Sequence, residues 1–340
     1  MWIIGCDFHP GFQQIAYVND VTGDCDCVRL PHGNGVVEQF YRKLQGEQVV
    51  IGMEATGTFR WFERLVVELG FELRVGDPAR IHAAAAHKPK TDKRDARLLR
   101  QLLVENRFPQ IWQPNLEQRD GRQLVLHRHR LVQMRTRVKN QLQSLAMNEG
   151  VQRKQALWSQ AGRKQLLELS LSKWGQQRRQ DLLQLLDDLE PRIAVLDSAV
   201  AELAQQQAES RRLMTHPGIG PVTSLAYVLT LGDAQRFRNS RQVAAYFGLV
   251  PLERSSGGRQ RLGHITKQGS SLIRALLVEA AHVVIRKDES LRRVYVRLAM
   301  KKNRSIAAVA VARRLAVRLW WMWKLGLEYG QMFKSRSHAE

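Results

Sequence analysis

The chain has 340 residues and a formal net charge of +21. Residues 1–80 hold 7 Lys+Arg against 11 Asp+Glu and sum to −4, so the rest carries 46 against 21, or +25. An acidic N-terminal domain with a long basic remainder expects a polyanion, nucleic acid ahead of an anionic membrane surface. No apolar run reaches the length of a bilayer span, which argues against a membrane protein. The opening "MWIIGCDFHPG" has no basic n-region and no cleavage site, so a secretory signal is not expected. Cys6, Cys25 and Cys27 are the three cysteines, with no second pair to complete a zinc site. A reducing, cytoplasmic setting fits that usage.

In chain order, "WIIGCDFH" reads as a short apolar strand that ends on Asp7. "QQIAYV" and "DCVRL" read as two more strands across a turn-rich "NDVTGDC". "VVEQFYRKL" has helical spacing, and "QVVIGMEATG" is a buried strand ending on Glu54. "TFRWFERLVVEL" is an amphipathic helix, and "FELRVGDP" is a last strand closed by Asp77-Pro78. Three strands in meander followed by crossover helices predict a mixed α/β sheet with helices on its faces.

"KTDKRDAR" at 90–97 sets Asp92 and Asp95 among Lys88, Lys90, Lys93, Arg94 and Arg97. At about 100° per residue, Asp92, Asp95, Ala96, Leu99, Leu102 and Leu103 share one arc of a helix. Lys93, Arg94, Arg97 and Arg100 share the opposite arc. The acids therefore look toward the sheet and the bases look away. An ion-pair-laced surface helix mixes its acids and bases on one face, and this pattern does not. Asp7 and Glu54 interrupt apolar runs, where a charge is costly unless paired or metal-bound. Carboxylates from two strand ends and one helix suit Mg2+ or Mn2+, and two ions roughly 3.5–4 Å apart can clamp a phosphodiester. Lys90, Lys93, Arg94 and Arg97 are candidates to hold flanking phosphates. Actin- and hexokinase-like ATPases also place acids on such a sheet, but they need a duplicated, glycine-rich domain, and the chain shows no duplicate.

Residues 116 to about 147 read as one basic helix, with His127 and His129 on different faces and therefore surface residues. Leu182, Leu186, Leu189, Ile193, Leu196, Val200 and Leu203 alternate spacings of four and three, a heptad seam. It fits a coiled-coil arm or an intramolecular helical hairpin equally. Pro191 either kinks that helix or starts a new one. "THPGIGPVTSLAYVL" is a turn and helix whose Gly218 and Gly220 serve either a phosphate-binding helix-hairpin-helix element or a plain tight turn. Residues 253–263 form a Gly/Ser/Arg loop between helical patterns, and spacing alone makes Ser255 and Ser256 solubilising residues. "LWWMWKLGL" at 319–327 is short enough to be core or interface.

Together, "IIGCDFH", "IGMEATGTF", "KTDKRDARLL", "HPGIGPVTSLAYV" and "YFGLVP…SSGG…GHITKQGSSLIRALL" resemble the DEDD transposases of the IS110/Piv type. The resemblance spans nearly the whole chain. It implies an RNase H-like (RuvC-like) α/β catalytic domain at 1–112, a basic α-helical coiled-coil region at 113–212 and a mostly α transposase domain at 213–340. By position, Asp7, Glu54, Asp92 and Asp95 match the family's four metal-binding acids. Ser256, the serine touching the glycine in "RSSGG", matches the nucleophile, with Ser255 as the neighbouring alternative. Lys90, Lys93, Arg94, Arg97, Gly218, Gly220, Arg259, Arg261 and Lys267 are the nucleic-acid-binding candidates. The resemblance further implies Mg2+-dependent DNA cleavage and rejoining through a phosphoserine, action as a dimer or tetramer, and a bridge RNA guide in some members. A cytoplasmic, nucleoid-associated location follows. The rival expectations are a metal-only nuclease or junction resolvase on the same fold, and a non-catalytic nucleic-acid-binding protein.

Overall fold

The structure is a computed structural model that describes residues 1–85, 91–151, 156–253 and 261–334. The chain divides into two compact units, Met1–Gln113 and Pro114–Glu340.

The N-terminal unit begins with strands β1 (Trp2–Phe8), β2 (Phe12–Asn19) and β3 (Cys25–Pro31). Helix α1 (Val36–Arg42), strand β4 (Val49–Glu54), helix α2 (Arg60–Glu68) and strand β5 (Glu72–Gly76) follow. Helices α3 (Pro78–Ala84) and α4 (Asp92–Val104) complete it. The sheet order is β3-β2-β1-β4-β5, antiparallel from β1 through β3 and parallel from β1 through β5. This is the mixed α/β sheet the strand pattern predicts. Side chains alternate faces along a strand. Ile4 and Cys6 of β1 and Ile51 and Met53 of β4 enter one core with Tyr41, Phe62 and Val66. The opposite face of the same strands receives α4, where Ile3 and Val50 pack with Leu103.

Helix α4 lies close because β1 carries a glycine where it crosses. A Cβ on Gly5 would fall 2.2 Å from the Ala96 carbonyl oxygen and 2.3 Å from the Arg100 nitrogen. Thr91 caps the helix, its Oγ1 accepting from the Arg94 N–H at 3.4 Å. The arc read from the sequence holds: Ala96, Leu99, Leu102 and Leu103 are buried. The bases divide differently from expectation. Lys93 and Arg94 are exposed at the helix start. Arg100 instead donates to the Tyr17 carbonyl at 3.1 Å, and Arg97 donates to Cys27 Sγ at 3.2 Å. An arginine stem is long enough to curl back over the antiparallel strands that extend past the helix.

The described residues of the C-terminal unit are helical apart from one short hairpin. Helix α5 (Leu116–Asn148) opens with a capping box between Asn115 and Gln118. Helices α6 (Gln160–Leu167) and α7 (Lys173–Gln206) follow. Leu182, Leu186, Leu189 and Ile193 of the heptad seam pack with Val138, Leu142 and Ala146 of α5 in one core. The seam is covered within the chain, as an intramolecular hairpin. Arg128–Asp197 at 2.7 Å and Lys139–Glu190 at 2.9 Å join the two helices alongside it. Pro191 does not divide α7, which runs unbroken from 173 to 206.

Beyond α7 come α8 (Ala208–Met214), α9 (Pro221–Leu231) and α10 (Ser240–Tyr246). Strands β6 (Pro251–Glu253) and β7 (Leu262–Ile265) pair antiparallel, so a small hairpin frames the segment read as a loop between helices. Helices α11 (Ser271–Lys287), α12 (Glu289–Lys301), α13 (Arg304–Leu325) and α14 (Gln331–Lys334) end the unit. Its core joins Val125 of α5 and Val200 of α7 to Leu213, Tyr227, Leu277, Leu315 and Trp320. The helical middle and the C-terminal third thus share one core across residue 212. The Trp-rich run is partly core: Leu319, Trp320 and Met322 are fully buried, Trp320 Nε1 donates to the Ala234 carbonyl at 2.9 Å, and Trp321 and Leu325 are exposed. No helix among the described residues is long and apolar enough to cross a membrane.

Candidate active site

Asp7 and Asp92 of the N-terminal unit meet through simple geometry. Gly5 pairs with Gly52 in the parallel register of β1 and β4. Two residues further along each strand stand Asp7 and Glu54, on the same α4-facing side by parity. Two strand residues advance about 6.6 Å, and four helical residues advance about 6 Å. Ala96 lies over Gly5, so the turn of α4 that carries Asp92 and Asp95 comes to lie beside Asp7.

Asp7, His9 and Asp92 each offer a ligand atom, and these atoms lie within 4.8 Å of one another. His9 Nε2 is 3.0 Å from Asp7 Oδ2 and 3.7 Å from Asp92 Oδ1. Burial pushes the Asp7 carboxyl above its ordinary range; His9 works against that, and the charges of Asp95 and Asp92 add to it. Asp95 is thus electrostatically coupled to Asp7. Glu54 ends its strand with Oε1 3.8 Å from His82 Nε2 of α3. Carboxylates set close to a shielded acid are the usual setting for a divalent cation. Oxygen donors at a partly open edge fit Mg2+ or Mn2+ in kind. The first turn of α4 also presents its partial positive charge to Asp92 and Asp95, which eases their crowding.

His9 and His82 were not singled out from the sequence. A histidine two residues past a strand-end acid, at a Pro-Gly turn, reads as an ordinary surface residue. The signal available was "DFHPGF" itself. A turn that tight folds His9 back along the strand end, and its backbone N–H donates to the Phe12 carbonyl at 2.9 Å.

Ser255, Ser256, Arg259 and Lys90 fall outside the described residues. Arg261 and Lys267 are exposed beside the β6–β7 hairpin, and Lys267 has a left-handed backbone with φ of 56°. Gly220 is the exposed N-cap of α9. Gly218 has a packing reason of its own: a Cβ there would meet Val283 Cβ and Val284 Cγ2 of α11 at 3.1 Å.

Asp7 and Asp92 thus meet with His9 at the end of β1 in a mixed α/β unit that precedes a helical one, and comparisons with known proteins say which family carries such a chain. Residues 210–296 match the family model described as "Transposase IS116/IS110/IS902 family", and residues 5–148 match a second model described as "Transposase". A "Probable family 20 transposase" of Pseudomonas aeruginosa is 30% identical over 84% of this chain and 86% of its own length. The "Transposase for insertion sequence element IS1111A" of Coxiella burnetii is 26% identical, covering 79% and 76%. The "Transposase for insertion sequence element IS1328" of Yersinia enterocolitica is 25% identical, covering 76% and 79%. The chain belongs to the IS116/IS110/IS902 family of insertion-sequence transposases.

Proposed function

We propose that the chain cuts and rejoins DNA with divalent cations held by Asp7, Glu54, Asp92 and Asp95, and with Ser256 as nucleophile. The observation that carries this reading is the gathering of Asp7 and Asp92 with a shared histidine at the end of β1. Asp95 is coupled to Asp7 by charge. A bound Mg2+ or Mn2+ would polarise the phosphate and ease loss of the serine proton. Ser256 Oγ forms the new bond to phosphorus as a deoxyribose oxygen leaves and takes up a proton. One DNA end is then held as a phosphoserine. Attack by a second deoxyribose hydroxyl reverses the step, rejoins the strand and frees the serine.

Lys93 and Arg94, exposed at the start of α4, suit the flanking phosphates. Lys90, Arg259, Arg261, Lys267 and the Gly218–Gly220 turn extend that role. Arg97 is bound up with Cys27 and contributes less. We assign DNA as donor and target, a homo-oligomer as the acting form, a guide RNA as a further partner and the nucleoid-bearing cytoplasm as the setting.

The test uses a DNA substrate carrying the element's ends. Wild type should yield a denaturant-resistant protein–DNA adduct, and Ser256→Ala should yield none. Unchanged cutting by Ser256→Ala would point to hydrolysis by water on the same acids. Asp92→Asn with Asp95→Asn should remove Mg2+-dependent cutting and leave DNA binding intact. Binding should weaken steeply between 50 and 200 mM salt, by roughly a thousandfold if six or more phosphates are contacted.

A further inference from the structure

We infer that His9 is a direct metal ligand of this site, alongside the four acids, and that it tilts the site toward Mn2+ over Mg2+. The inference rests on the metal-site reading above and adds to it a fifth residue and a choice of ion.

The argument begins with where the ring stands. His9 Nε2 lies between Asp7 Oδ2 at 3.0 Å and Asp92 Oδ1 at 3.7 Å. A group that touches both carboxylates occupies the position where a cation would neutralise them. His9 Nε2 is within hydrogen-bond distance of Asp7 Oδ2. A cation bound between the two carboxylates would have this ring nitrogen within ligand reach from where it already stands.

The ring is also held for that task. Its backbone N–H is fixed to the Phe12 carbonyl across the Pro10-Gly11 turn. The imidazole stacks on the Phe12 ring, with centroids 4.5 Å apart and planes at 26°. Phe12 in turn carries the Arg29 guanidinium 3.8 Å from its centroid. A surface histidine in a turn ordinarily rotates freely; this one has a stacking partner that is itself anchored. A held ligand loses less freedom on binding, which is the condition for a useful contact.

The choice of ion follows from the donor. Mg2+ prefers oxygen and keeps its waters. Mn2+ accepts carboxylates equally well and, as a first-row transition ion, takes an imidazole nitrogen more readily. A site of carboxylates alone distinguishes the two ions weakly. One with a nitrogen in reach distinguishes them more.

The experiment is Mn2+ binding by the full-length protein without DNA, read by electron spin echo modulation. Wild type should show coupling of the bound Mn2+ to a ring nitrogen, and His9→Ala should lose it. The variant should bind Mn2+ about tenfold more weakly and Mg2+ about threefold more weakly or less, so that Mg2+ displaces Mn2+ from it more readily than from wild type. Among the described residues, His82, 3.8 Å from Glu54, is the other imidazole near these acids. Nitrogen coupling that survives His9→Ala would therefore overturn the assignment to His9. So would Mn2+ binding by wild type with no nitrogen coupling. Failure of the underlying reading looks different: wild type would bind no Mn2+, or Asp7→Asn would bind it as tightly. Thermal melting of His9→Ala checks the fold, and the backbone bond to Phe12 does not need the side chain.

Discussion

Asp7 and Asp288 are both shielded aspartates, one in each unit, and their surroundings push them in opposite directions. Asp288, at the start of α12, is 3% exposed. It accepts from Ser290 Oγ at 2.6 Å, the Leu291 N–H at 2.8 Å and Tyr329 Oη at 2.7 Å, and it pairs with Arg318. Burial works to raise its carboxyl, but those donors prevail and take it down to about 2. Asp7 is also pushed up by burial, yet only His9 opposes that, while Asp95 and Asp92 reinforce it. The first acid is satisfied by its own chain. The second is surrounded by groups that share its need for a cation. Burial alone therefore does not mark a functional acid; the sign of its neighbours does.

The comparison breaks most visibly under substitution. Asp7→Asn should lower Mg2+-dependent strand cutting about a thousandfold, several kcal/mol of lost transition-state stabilisation, in a gel assay on labelled DNA. Its melting temperature should hold or rise, because a crowded negative charge is removed. Cutting at near wild-type rate would remove Asp7 from the site. Asp288→Ala should do the reverse. It leaves Arg318 without its partner and should cost about 4 kcal/mol in urea unfolding, with Mn2+ binding unchanged.

Gly5→Ala tests the seat of α4 rather than the acids. A methyl group cannot sit 2.2 Å from a carbonyl oxygen, so the helix must shift. The expected loss is about 3 kcal/mol of stability, with metal affinity falling alongside. Retained affinity in calorimetric titration would show that the acids tolerate a displaced helix.

The smallest effect is in pH. His216 is buried, its Nδ1 contacts the Pro217 carbonyl at 2.9 Å, and burial lowers its pKa to about 4. Its unfolded value is near 6.5. Between these values the unfolded chain binds the extra proton, so stability is complete above about 6.5 and falls as the pH drops toward 4. The loss should reach at most about 3 kcal/mol. Asp288 adds its own loss only below about 4, because its folded value lies lower still. Urea unfolding at stepped pH reads both, and His216→Gln should flatten the upper window.

Asp7 and Asp92, which the structure brings together with His9, were legible because they interrupt local pattern. Asp7 and Glu54 end apolar strands, and Asp92 and Asp95 sit in line with buried leucines, so alternation and helical arc point all four the same way. His9 broke no pattern. Arg97 and Arg100 were misplaced because a helical wheel gives direction but not reach, and both side chains bend back over β2 and β3. The heptad seam was correct as a stripe and silent about its cover, which α5 supplies. The Asp288 cluster was invisible, since its members come from residues 288–291, 318 and 329.

The sequence by itself determined the strand order of the N-terminal unit, its helices apart from the short α3, the buried arc of α4 and the polyanion-seeking charge of the remainder. These depend on periodicity and composition, which are local or additive. Only the tertiary structure decided that His9 joins Asp7 and Asp92, that α5 covers the seam of α7, and that Asp288 is held by its own chain. Those outcomes depend on which residues, distant in sequence, come within a few ångströms of each other, and spacing along the chain does not encode that.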